Sequence, residues 1–244
     1  MKNIKLTIVS VLIFMGGMLN VNAQDANDIL KKMDEVMYSA KDMTGKTKIV
    51  LIDKADKEKT REANIIQKGN DKRIFRFTEP ASQAGIAFLS LPEDVMYLYM
   101  PAFGKERRIS ASIKTQNFAG TDFSYDDMES KLYSEKYTPK LLESEGDVYV
   151  LELTPISKKS SYSKLIVKIH NTNYYPTLME YYDKGNKKVK IAVYNFVKIG
   201  NYWNAEEIFM TDLKKNHKTK MIMSDVVYDQ GLSDDDFTVR KLKQ

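Results

Sequence analysis

Apolar and polar residues alternate in short runs over most of the chain, and turn-forming residues separate the runs. Phe75-Arg76-Phe77-Thr78 is a clear case, as expected of a strand with one buried face. Further runs at 86–91, 95–100, 148–154, 164–170 and 187–197 lie between turns such as Pro92-Glu93-Asp94, Glu145-Gly146-Asp147 and Lys184-Gly185-Asn186, which join antiparallel neighbours. The pattern predicts about ten or eleven strands between residue 46 and residue 228. The beginning of this region differs. Ile29, Met33, Val36 and Met37 recur at helical spacing, predicting a helix over 25–40 with Asp25 or Asn27 as cap and Gly45 at its end. Residues 117–133 also break the alternation, and Asp122 or Ser124 is placed to cap a short helix through Met128.

Strand and helix do not alternate in the manner of a parallel nucleotide-binding sheet. No Gly/Ser/Pro-rich linker divides the chain and no internal repeat is visible. One domain over 24–244 is therefore expected, mainly β, with an antiparallel sheet large enough to curl on itself. Several strands are apolar on both faces: Val95–Met100, Ile208-Phe209-Met210 and Met221-Ile222-Met223. A sheet with one wet side alternates more cleanly, so a cover is needed, and the 25–40 helix with the Phe118–Met128 segment is the candidate. Two readings stay open at this stage: a filled two-layer core, or a curled sheet enclosing a cavity for an apolar ligand. Of 13 methionines, Met1, Met15 and Met18 lie near the N-terminus; the rest suit surfaces that repack around varied apolar groups.

The first 23 residues have their own character. Lys2 and Lys5 precede an apolar stretch over 6–19, and Val21-Asn22-Ala23 supplies small residues. This predicts a secretory signal peptide cleaved near Ala23, and hence a periplasmic protein. Gln24 stands where a bacterial lipoprotein would carry its acylated cysteine, so a free protein is expected. The chain has no cysteine, and packing alone must hold it. The net charge is +5, with no block of like charges of the kind that accompanies nucleic-acid binding. An outer-membrane barrel is disfavoured by strands such as Lys187-Lys188-Val189-Lys190, which would put charge into a lipid-facing band.

Catalytic chemistry finds little support. His170 and His217 stand on separate strands with no motif around either, and without cysteine a zinc site would need carboxylates. Gly45-Lys46-Thr47 lacks the leading glycine of a phosphate loop (Ala40 stands there). No Gly-x-Ser-x-Gly elbow occurs. Asp234-Asp235-Asp236 reads as a helix start after Ser233, and Asp126-Asp127 as capping or surface residues. No enzyme, metal or cofactor is expected.

The stretch Phe118-Ala119-Gly120-Thr121-Asp122-Phe123-Ser124-Tyr125-Asp126-Asp127 follows a basic hairpin, Gly104-Lys105-Glu106-Arg107-Arg108-Ile109, and a strand containing Tyr97-Leu98-Tyr99. That order, with Phe88-Leu89-Ser90 before it and Tyr175-Pro176 after it, resembles the outer-membrane lipoprotein-sorting proteins, the LolA-like family. The resemblance implies a strongly curved antiparallel sheet forming an unclosed barrel under a helical lid. It also implies a carrier that binds lipid or the acyl chains of lipoproteins for transfer toward the outer membrane. The alternative is a periplasmic sensor or adaptor of the same fold acting with an inner-membrane transporter or signalling protein. The expected partners are a lipid or an acylated lipoprotein, with no nucleic acid, and a monomer is expected. For the lining we select Phe75, Phe77, Met96, Leu98, Met210, Met221 and Met223, with Phe118 and Phe123 near the rim. Gly120, Asp122, Tyr125 and Asp127 are read as structural or rim positions of the motif, Asp122 as a cap and Phe123 as a staple.

Overall fold

The computed structural model describes residues 25–244; the expected signal peptide, with cleavage near Ala23, lies outside the described residues. Helix α1 (Ala26–Tyr38) opens this region, and the carboxylate of Asp25 caps it by accepting the N–H of Asn27 at 3.1 Å. It buries Ile29, Leu30, Met33 and Asp34, the first and third of these four at the helical spacing read from the sequence. The helix ends at Tyr38, short of the predicted limit. Gly45 belongs instead to the first strand, at a bulge where a Cβ would meet Val226 Cγ2 at 3.3 Å.

Thirteen strands follow. Six precede the interruption: β1 (Asp42–Ile52), β2 (Glu58–Lys68), β3 (Lys72–Glu79), β4 (Ala87–Leu91), β5 (Val95–Met100) and β6 (Lys105–Arg108). Seven come after it: β7 (Tyr137–Glu145), β8 (Val148–Pro155), β9 (Tyr162–His170), β10 (Pro176–Asp183), β11 (Lys188–Ile199), β12 (Tyr202–Asp212) and β13 (His217–Tyr228). The count exceeds the expected ten or eleven; the reversal expected at Phe103-Gly104-Lys105 is present, with β5 and β6 pairing across it. All belong to one antiparallel sheet in the order β6-β5-β4-β3-β2-β1-β13-β12-β11-β10-β9-β8-β7. The two halves of the chain are thus two meanders joined edge to edge by β1 and β13. The sheet curls without closing, and β6 and β7 are its free edges.

The chain between these edges, residues 109–136, crosses the concave side as a strap. It holds two one-turn helices, α2 (Ala111–Lys114) and α3 (Tyr133–Lys136), and a 3-10 turn at Phe118–Gly120. The predicted helix from Asp122 or Ser124 through Met128 is absent. Ser124 and Asp127 do make the reciprocal bonds of a capping box (2.7 and 3.1 Å), but around a single turn that does not continue, because Asp122 and Lys190 hold the backbone to the sheet.

Cross-strand register decides the faces. Phe88, Phe75, Ile65, Thr47, Met221, Ile208, Tyr194 and their same-parity neighbours turn toward the concave side and form the main core with α1 and the strap. On the convex side of β3–β5 a second, small core unites Ile74, Ala87 and Leu89 with Phe237 and Leu242 of the C-terminal segment, and Tyr97 and Tyr99 pack against it. The second apolar face of Val95–Met100 is therefore covered by the C-terminal segment, and the helix and strap cover only the concave face. That segment begins as expected after Ser233, whose capping box with Asp236 starts a 3-10 turn. Among the described residues no helix is long and apolar enough to cross a membrane.

Candidate functional site

The strap is fixed to the sheet by one aromatic anchor and several polar fasteners. Phe118 is fully buried. Its ring meets Phe75, Phe88 and Tyr125 edge-on, with centroids at 5.4, 5.5 and 5.4 Å, and stacks with Phe77 at 6.0 Å. Such pairs add about 0.5–1.5 kcal/mol each beyond area burial. The chain then turns through Ala119 and Gly120, both at positive φ, where Arg61 of β2 donates to the Ala119 carbonyl. Gly120 is the residue type for which that backbone region costs nothing.

Asp122 is buried and serves β13 rather than a helix. Its Oδ2 accepts from Thr219 Oγ1 at 2.6 Å and lies 2.7 Å from His217 Nδ1, while its N–H donates to Thr219 Oγ1 at 3.0 Å. Its carbonyl accepts from Lys190 Nζ at 2.6 Å. Asp127 receives Tyr162 OH at 3.4 Å and lies 3.8 Å from Lys190 Nζ. The motif is thus a set of structural fasteners between strap and sheet.

Above the strap lies a cavity of about 210 Å³. Its walls include Met37 and Tyr38 of α1, Ile65, Phe75, Leu165, Tyr194, Ile208, Met221 and Met223 of the sheet, and Phe123 and Met128 of the strap. It exceeds the roughly 150 Å³ apolar void that accepts benzene, and falls below the roughly 300–1,000 Å³ of complete small-ligand sites. In its wall Thr47 Oγ1 is buried without a hydrogen-bond partner. At its polar end, Lys136 Nζ lies 3.1 Å from Glu129 and 3.5 Å from Asp126, and Lys114 lies 3.1 Å from Glu129. Burial alone would depress the Lys136 ammonium, but the Asp126 and Glu129 carboxylates outweigh it and raise it above the usual lysine range. This ion cluster stands between the apolar cavity and a wider polar groove of about 730 Å³ along the seam between the free edges.

Helix α1 closes the cavity from above, packing on α3, β7 and β12. Its buried Asp34 accepts the N–H groups of Tyr133 and Ser134, both at 2.8 Å. Burial pushes the Asp34 carboxyl up, and the Ser134 and Tyr133 donors pull the other way. From the middle of the helix Lys32 Nζ lies 4.8 Å from the Tyr174 ring, and at its C-terminal end Tyr38 OH donates to the Lys131 carbonyl at 3.5 Å.

Of the lining residues selected from sequence, Phe75, Phe123, Met221 and Met223 border the cavity. Phe77, Met96, Phe118 and Met210 are enclosed in solid packing beneath it, and Leu98 packs against the same core. Tyr125 belongs to the aromatic cluster around Phe118. Sequence reasoning missed Thr47, Leu165, Tyr194 and Ile208. For Thr47, Tyr194 and Ile208 the signal was register, since each shares strand parity with a residue already chosen on a neighbouring strand; the strands beside Leu165 carry no chosen residue. Among the described residues no group of three or more His, Cys, Asp or Glu is placed to hold a metal.

A curled open sheet, an inserted strap and a helix over an apolar hollow define the LolA-like class of fold. A domain named for outer membrane lipoprotein sorting from Vibrio parahaemolyticus superposes with a TM-score of 0.84 at 29% identity, over 90% of this chain and 98% of that one. A DUF1329 family protein from Desulfovibrio piger gives 0.83 at 26% identity, over 89% and 97%. A LolA superfamily protein from Nitrosomonas europaea gives 0.76 at 27% identity, over 88% and 98%. Among curated proteins the sequence finds no match. A family model described as "uncharacterized protein" matches residues 69–244. The chain belongs to the family that this model describes, and its fold is that of the LolA-like, outer-membrane lipoprotein-sorting proteins.

Proposed function

We propose that this protein is a periplasmic carrier that holds lipid, or the acyl chains of lipoproteins, in the cavity beneath α1 for transfer toward the outer membrane. The observation that carries the reading is an apolar hollow under a helix that packs Ile29, Leu30 and Met33 on the core and is clipped to α3 by Asp34. Each methylene moved from water into that hollow contributes about 0.8 kcal/mol, so even a partly inserted chain is retained. The closed volume takes part of a chain, and lifting α1 off α3 and the rim makes room for more. Affinity then depends on the cost of opening the lid, which makes release adjustable without a nucleotide site. The unpartnered Thr47 hydroxyl supplies a donor for an ester or amide oxygen of the cargo. Binding, not bond chemistry, is the activity this site supports.

Native mass spectrometry of protein isolated from the periplasm tests this. Bound lipid, or uptake of added acyl chains in competition with a fluorescent fatty acid, is the expected result. Protein that stays lipid-free and never takes up the fluorescent probe overturns the proposal.

A further inference from the structure

Where the C-terminal end of α1 meets the β11–β12 hairpin, the rim of the cavity is aromatic. Phe196, Tyr202, Trp203 and Tyr228 all border the cavity. Tyr175 from the adjoining turn stacks on Phe196 at 5.1 Å and meets Trp203 at 4.8 Å; Tyr202 meets Tyr228 at 4.7 Å. These five rings are only partly buried. Two of them turn a hydroxyl to a polar partner: Tyr228 donates to Asn204 Oδ1 at 3.1 Å, and Tyr202 to Asp229. At the tip, Lys198 is exposed and pairs in register with Trp203, as Ile199 does with Tyr202. Phe196-Val197-Lys198-Ile199-Gly200-Asn201-Tyr202-Trp203 contains no acidic residue, and Val227 beside Tyr228 is 46% exposed.

Aromatic rings with an apolar body and a wet end sit best at the boundary between hydrocarbon and headgroups, and an exposed lysine beside them is drawn to anionic lipid. We propose that this aromatic hairpin rim seats the cavity mouth on the surface of a lipid bilayer, with Lys198 among anionic headgroups, so that an acyl chain passes between membrane and cavity without crossing water. The proposal rests on the carrier reading for the purpose of the docking. The docking itself follows from the rim.

The chain has one tryptophan, Trp203, so its fluorescence reports on the rim alone. Protein isolated from the periplasm is mixed with vesicles of phosphatidylethanolamine and phosphatidylglycerol, or of phosphatidylcholine alone. Expected are co-sedimentation stronger with the anionic vesicles, a blue shift of Trp203, and quenching by lipids brominated near the headgroup. The double variant Lys198→Glu/Ile199→Glu changes the tip without touching the cavity. It should weaken vesicle binding by about tenfold or more and keep uptake of a soluble fluorescent fatty acid. Wild-type protein that neither sediments with vesicles nor shows lipid quenching, while still taking up the fatty acid, overturns the docking and leaves the carrier reading standing. Docking without fatty-acid uptake overturns the carrier reading instead. A double variant that binds vesicles as wild type does overturns the assignment of the rim, as does a rim that docks only on another protein.

Discussion

Asp34 on α1 and Tyr133 on α3 stand ninety-nine positions apart and are joined by a 2.8 Å hydrogen bond from the Tyr133 N–H to the Asp34 carboxylate. The same carboxylate takes the Ser134 N–H at the same distance. These bonds clip the helix over the cavity to the end of the strap. Asp34→Ala leaves two half-buried donors without an acceptor, a loss of about 1 kcal/mol or more concentrated on the lid. The α1 amides should exchange hydrogen faster than in wild type, and a fluorescent fatty acid should enter faster. Unchanged exchange over Ala26–Tyr38 would show that the clip does not hold the lid.

Phe118 is the plug of the concave face. Phe118→Ala removes four ring contacts at once and leaves a void the β-sheet cannot close. Urea unfolding should show a loss of about 3–5 kcal/mol. A loss below about 1 kcal/mol would mean that the strap is held mainly by its polar fasteners.

Met223 borders the hollow from the sheet and is only partly buried. Met223→Trp fills that space with ring atoms. Acyl-probe affinity should fall by about tenfold, equivalent to about 1.4 kcal/mol, while stability drops by no more than the roughly 1–3 kcal/mol of overpacking. Undiminished affinity with the fold intact would place the ligand elsewhere.

The C-terminal segment carries a titration signature. Lys68 and Lys72 lie 2.8 and 2.9 Å from Asp234 and hold its carboxyl down at about 2. A carboxyl depressed in the folded state stabilises above its unfolded value of about 3.9, and that contribution is lost as pH falls through the folded value. Carbon-detected titration should place the Asp234 midpoint near 2 and move it upward with added salt, because the pair is exposed. A midpoint in the ordinary aspartate range at low salt would remove these lysines as the latch of the Asp234–Phe237 turn.

Much of this architecture is local and therefore readable in the chain. Period-two alternation marks strands, the Asp25 cap and the Ile29–Met33 spacing mark α1, and turn residues such as Gly146 and Asn186 mark reversals. Parity along each strand even placed Phe75, Phe77, Met96, Met210, Met221 and Met223 on one common face. Gly45 misled because a glycine near a helix end reads as a stop, whereas its smallness serves a close approach of β13. Asp122 misled because its partners, Thr219 and His217, are distant in sequence.

The sequence by itself determined a mainly β chain with one N-terminal helix, a hairpin-linked sheet and a strap motif, because each of these follows from contacts between near neighbours. Tertiary structure alone decided that β1 pairs with β13, that the sheet stays open between β6 and β7, and that the C-terminal segment covers the convex face of β3–β5. It also decided which concave side chains border empty space and which are packed solid. Phe75 and Phe77 are alike in sequence pattern, yet only Phe75 reaches the cavity. That difference is set by where Phe118 and α1 come to rest, a matter of long-range packing that no local pattern encodes.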